Sequence, residues 1–179
     1  MIKNQTEQWA WRALATSLLI AGWIAGFACS TAKAADKAAQ LMAGESLGGI
    51  KIGMAEKKLK DLLGQPKEKG QVKLTEATGE YDQTWRYPDK GLEITLSGES
   101  KAGSKSVSAF TASTGCGLAT TKGIKIGSSE ADVRRAYGSF EDKESAQKNS
   151  FVAGSIYGGI IFTFKDKKVA RIFFGAAAE

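Results

Sequence analysis

The sequence contains no histidine. That absence removes the commonest general base and the commonest ligand for zinc or copper. It also removes every Ser–His and Cys–His nucleophile pair. Cysteine is nearly as scarce, with Cys29 and Cys116 the only two. If the first is lost with a leader, Cys116 has no partner within the chain, and the fold must rest on its core without disulfides. Flanked by Gly115 and Gly117, Cys116 reads as a small buried residue, the usual place of a free cysteine. A reactive thiol and an intermolecular bridge are the alternatives.

Charge is missing from the twenty residues between Ala13 and Ala32, which follow Lys3 and Arg12 and include Leu18, Leu19, Ile20, Trp23, Ile24 and Phe27. A basic start, an apolar run and Ala32-Lys33-Ala34 match a signal peptide, with cleavage expected after Ala34. Two other readings stand beside it. A run of this length is also enough for an uncleaved membrane anchor. Cys29 is a lipidation candidate, although Gly26 stands where lipoprotein signals carry leucine. Loss of residues 1–34 lowers the net charge from +6 to +4. Residues 35–45 read as a short linker or loose helix. The rest is long enough to bury about two-thirds of its unfolded surface, as one domain or two fused units.

What is present is a repeat. Gly49-Ile50-Lys51-Ile52-Gly53 recurs 74 residues later as Gly123-Ile124-Lys125-Ile126-Gly127, and seven of sixteen positions are identical from Gly49 to Gly64. In each copy the two isoleucines mark a short extended piece that a glycine ends. A helix follows, with Ala55, Leu59, Leu62 and Leu63 on one face and Val133, Ala136 and Tyr137 in the equivalent places. Ser128 or Ser129 can cap the second helix, and Ser129 with Asp132 has the form of a capping box. Gly64 and Gly138 are placed to end the helices in left-handed conformation. Strands are expected at 84–87, 91–96 and 106–111, then at 155–157, 159–164 and 169–174. Residues 65–79 and 140–150 read as polar connections, and 97–106 as a hairpin loop. The fold class is therefore α+β: two tandem repeats, 46–112 and 113–179, each with helix packed on antiparallel sheet.

Gly49 to Pro66 with Trp85-Arg86-Tyr87, and Gly123 to Gly138 with Tyr157, carry a resemblance. The chain resembles the SmpA/OmlA (BamE-like) envelope lipoproteins and the tandem-repeat β-lactamase inhibitor proteins. The resemblance implies helices on an antiparallel sheet in each repeat and a role in binding another protein. The disulfides of the inhibitor proteins and the lipobox of the assembly lipoproteins are missing. Gly49, Gly53, Gly64, Gly123, Gly127 and Gly138 are the structural positions of the pattern.

Strand alternation puts Trp85 and Tyr87 on one sheet face and Arg86 on the other. The aromatics are either core under the helix or, if outward, a contact surface with Arg86 and Tyr157. Ile160, Ile161, Phe162, Phe164, Ile172, Phe173 and Phe174 are apolar on both strand faces. Such strands are covered on both sides, by the other repeat, a partner or a second copy. Lys57, Lys58, Lys60, Arg134 and Arg135 suit an anionic partner or the solvated side of an amphipathic helix. The loop from Gly98 to Ser106 lacks the lysine directly after its second glycine and the following helix that a phosphate loop needs. Glu93 is expected to face solvent or pair across the strand. No catalytic residue, metal, cofactor or nucleic-acid site is assigned. The reading that follows is an exported protein-binding module. A self-associating envelope component and a carboxylate-based envelope enzyme are its alternatives.

Overall fold

The computed structural model describes residues 37–145 and 147–177; the expected leader, with Cys29, lies outside them. Residues 37–44 form helix α1, which buries Ala38 and Leu41. Helices α2 (Glu56–Leu63) and α3 (Glu130–Tyr137) follow the two Gly-Ile-Lys-Ile-Gly segments. Eight strands complete the fold: β1 (Glu68–Lys69), β2 (Lys73–Thr75), β3 (Glu80–Tyr87), β4 (Leu92–Gly98), β5 (Ser106–Ala112), β6 (Ser150–Ala153), β7 (Gly159–Lys165) and β8 (Lys168–Gly175). They make one antiparallel sheet in the order β1-β3-β4-β5-β8-β7-β6, with β2 beside β1 on the edge of β3. The protein is thus α+β, and among the described residues no helix is long and apolar enough to cross a membrane.

The period of two decides which side chains meet the helices. Trp85, Tyr87, Leu92, Ile94, Leu96, Val107, Phe110, Ile160, Phe162, Phe164, Ile172 and Phe174 share one buried cluster with Leu41, Leu59, Val133 and Tyr137 of the three helices. All three helices therefore cover the same sheet face. Phe110 stacks on Phe174 with ring centroids 4.6 Å apart, so the central β5–β8 pair is held by aromatic packing as well as by its ladder.

Each helix is tied to its hairpin by the same bonds. The Gly53 N–H donates to the Val107 carbonyl at 2.7 Å, and Gly127 to Val169 at 2.8 Å. Glu56 donates to Lys105 and Glu130 to Lys167, while Val107 donates back to Met54 and Val169 to Ser128. The glycines are needed because the backbone turns there with φ of 78° and 88°, the left-handed region that a Cβ disfavours. Register shifts fall at matching places too, between Thr95 and Leu96 and between Thr163 and Phe164.

Three ties join residues 37–112 to residues 113–177. In the sheet, Phe110, Thr111 and Ala112 face Phe174, Phe173 and Ile172. Outside it, Gly48 donates to Ala119 at 2.9 Å and Thr121 to Ser46 at 3.0 Å, about a Leu47–Thr120 bridge. A third tie comes from the end of α1: the Tyr137 hydroxyl donates to the Glu45 carboxylate at 3.0 Å. Of the stretch expected to be linker or loose helix, residues 37–44 are helix, anchored to the core.

Several expectations are corrected. Residues 155–157 are a turn, and the strand lies earlier, at Ser150–Ala153. Gly154, with φ of 93°, breaks the chain after it, and the apolar run Phe151-Val152-Ala153 supplies the strand face instead. Strands β1 and β2 come from residues read as polar connection. The extended pieces around Ile50–Ile52 and Ile124–Ile126 are turns closed by isolated bridges. Gly49, Gly64 and Gly123 take positive φ like Gly53 and Gly127, but Gly138 does not. Its φ of −56° carries α3 into a 3-10 turn, Gly138–Phe140. Ser129 is the N-cap of α3, accepting the Asp132 N–H at 3.1 Å. Its hydroxyl donates to the Asp132 carboxylate, which holds that carboxyl below its ordinary value.

Candidate functional site

With the helices on one face, the other face of the sheet carries no helix among the described residues, and it is partly exposed except at its β6 end, where Val152 is buried. Register places one row across it: Val152, Ile161, Phe173, Thr111, Glu93, Arg86 and Glu68. Its first three members are apolar and its last three charged. Val152 is buried, Ile161, Phe173 and Thr111 are half-buried, and Glu93 and Arg86 exposed. A second row, Gly159, Gly175, Ala109, Thr95 and Thr84, carries small side chains only, so the face is low there. A third, Ser150, Thr163 and Arg171, runs beside the apolar end. Threonines and small residues on the open face with β-branched and aromatic residues beneath are what a half-buried sheet selects.

Where β3, β4, β5 and β8 come together the face dips into an open groove of about 440 Å³. Arg86, Glu93, Thr111, Ser113, Thr114 and Arg171 supply its polar lining. Arg86 is committed, its Nε donating to Glu93 Oε2 at 2.7 Å with Glu68 3.9 Å away. Arg171 Nη2 donates to the Thr111 hydroxyl at 3.1 Å, and its guanidinium lies 5.7 Å from the Phe173 ring centroid. Farther along the face, Asp82 accepts from the hydroxyls of Thr75 at 2.7 Å and Ser97 at 2.6 Å, a fully paired network between strands.

The residues expected at a contact surface separate. Trp85 and Tyr87 are 0% and 3% exposed and belong to the core, which corrects their placing on a contact surface. The Trp85 indole donates to Gln83 at 3.0 Å, and the ammonium groups of Lys60 and Lys69 lie over its ring at 5.2 and 4.7 Å. The Tyr87 hydroxyl donates to the Gly64 carbonyl at 3.1 Å, tying β3 to the end of α2. Burial raises the pKa of this phenol. Arg86 is on the open face. Tyr157 is 72% exposed, but in the turn between β6 and β7 and not on a strand.

Arg171 and Phe173 are the residues that sequence reasoning missed as a pair. Period two across Arg171-Ile172-Phe173 held the signal, with Ile172 the core member. In the hairpin loop, Lys105 is buried, and its ammonium donates to the carbonyls of Ser100, Lys101 and Gly103 at 3.2, 3.0 and 3.3 Å. Those bonds use all three donors of the group, so the loop holds its own lysine and offers it to no phosphate. On the helices, Arg134 pairs with Glu130 and Glu141, and Arg135 with Asp132. Cys116 is buried and unpaired, and burial pushes its thiol up. No cluster of metal-ligating side chains occurs among the described residues. Comparisons with family models, curated proteins and solved structures gave no match.

Proposed function

We propose that the protein is an exported protein-binding module built from two copies of one α+β unit, and that the open sheet face is its contact surface. The observation that carries this is the division of the sheet: one face buried under three helices, the other bearing an apolar row that ends in paired charges. A sheet face with an apolar strip and a charged rim has the anatomy of a protein interface. The matched bonds of Gly53 and Gly127, and the antiparallel meeting of β5 with β8 around Thr111 and Phe173, support duplication of the unit. Export rests on the basic-then-apolar start and the Ala32-Lys33-Ala34 site.

The test is crosslinked capture from envelope extract with the tagged full-length chain and its Phe173→Ser and Tyr157→Ala variants, each checked for folding. Loss of one dominant partner with Phe173→Ser alone supports the sheet face. Loss with Tyr157→Ala alone moves the contact to the β6–β7 turn and rejects it. The half-buried apolar pair Ile161 and Phe173 also favours a second reading, self-association through the second repeat. Sedimentation that shows a dimer in the wild type and a monomer in Phe173→Ser would establish it.

A further inference from the structure

The groove on the open face has a feature that an apolar contact strip does not require. Of its two arginines, Arg86 has its carboxylates in place, while Arg171 has none within salt-bridge reach among the described residues. A guanidinium carries five donors in a planar fork. Arg171 uses one of them, on the Thr111 hydroxyl. Two arginines against Glu93 leave the lining with an excess of one positive charge.

We propose that this groove receives an aspartate or glutamate side chain of the protein partner that lies across the sheet, with Arg171 as its fork. Here the groove's chemistry deepens the sheet-face reading and rests on it. A carboxylate accepts two parallel bonds from a guanidinium, a fit that adds geometric selectivity to charge. The hydroxyls of Thr111 and Thr114 line the same groove and supply further donors, while that of Ser113 already donates to the Gly91 carbonyl. Phe173 braces the guanidinium from one side. That packing lowers the entropy lost on binding, as a pre-organised fork should. Ile161 and Phe173 then meet the apolar neighbours of the acidic residue, and an arginine beside aromatic surface is a typical centre of interface energy. Charge complementarity therefore selects an acidic partner segment over a basic or purely apolar one.

The probe is the blocked tripeptide acetyl-Ala-Glu-Ala-amide, titrated into the isotope-labelled full-length chain and followed by amide chemical shifts. Acetyl-Ala-Gln-Ala-amide and inorganic phosphate serve as the other two arms. Saturable shifts at Thr111, Ser113, Thr114 and Arg171 are expected with the glutamate peptide, and roughly tenfold weaker binding of the glutamine peptide. Arg171→Gln should weaken the glutamate peptide by a similar factor, while Arg171→Lys, which keeps the charge without the fork, should fall between. Equal titration by the glutamine peptide, binding unchanged in Arg171→Gln, phosphate binding as tight as the glutamate peptide, or no titration at all would overturn the proposal. If the tripeptide fails while Phe173→Ser still abolishes partner capture, the acidic-residue inference falls and the sheet-face reading stands.

Discussion

Replacing Tyr137 by phenylalanine probes the longest-range polar contact of the core. The ring is fully buried, 5.1 Å from Phe162 between centroids, and phenylalanine keeps that packing. What disappears is the hydroxyl that donates to Glu45 at 3.0 Å, across 92 residues of chain. Glu45 is itself 4% exposed. Burial raises its carboxyl above the ordinary 4.5, against the Tyr137 hydroxyl, the Thr121 N–H, the Lys122 charge and the Ser46 N–H, which all favour the charged form. A raised folded-state value means that the native protein holds this proton more tightly than the unfolded chain. Stability from this group is then fullest below about pH 4.5 and declines as pH climbs through the folded value.

Removing the hydroxyl takes away a donor to the anion, so the carboxyl rises further and the decline deepens. A hydrogen bond to a charged acceptor contributes about 1.5–3 kcal/mol, a neutral one about 1 kcal/mol. Tyr137→Phe should therefore lose about 2 kcal/mol near pH 7 and about half that near pH 4. With a slope near 2 kcal/mol per molar urea, the neutral-pH midpoint falls by roughly 1 M. Urea unfolding of wild type, Tyr137→Phe, Glu45→Gln and the double variant at both pH values is the assay. In the Glu45→Gln background the tyrosine change should lose the same small amount at either pH. Equal losses at both pH values with Glu45 present would show that the carboxylate does not carry the effect.

Three further outcomes are expected. Gly53→Ala and Gly127→Ala should each lower stability by about 1–2 kcal/mol, the strain of a Cβ in the left-handed region, since both sites have open space. Gly91→Ala should lose about 3 kcal/mol or more, because its Cβ would lie 2.7 Å from the Cys116 nitrogen and the Thr114 oxygen; calorimetry ranks the three. Lys105→Met leaves three loop carbonyls without their donor and should cost about 1–3 kcal/mol, with faster proteolytic nicking between residues 99 and 104. Lys167→Gly should gain about 0.5–1 kcal/mol, read as a higher urea midpoint, because Asp166 and Lys167 form the β7–β8 turn with φ of 52° and 59°.

Local signals in the sequence determined the local structure. The amphipathic spacing of Leu59 and Val133 specified two helices, Ser129 the start of the second, and the turn glycines the sharp bends before both. Alternation placed Trp85 and Tyr87 opposite Arg86, because neighbouring side chains on a strand must point to opposite faces. That alternation is symmetrical, however, and does not say which face the helices cover. Only packing decided it, burying the aromatics and leaving Arg86 in the open. The strand at 150–153 escaped because four residues are too few to show a period, and 155–157 lost its strand to the turn at Gly154. The pairing of β5 with β8, the alignment of Ile161, Phe173, Thr111 and Glu93 in one row, and the meeting of Glu45 with Tyr137 lay beyond sequence reading altogether. They join residues tens of positions apart, and nothing in a local pattern records which distant strand edge or buried hydroxyl will be the partner. The groove at Arg171 arises from those pairings, and so belongs to the tertiary structure alone.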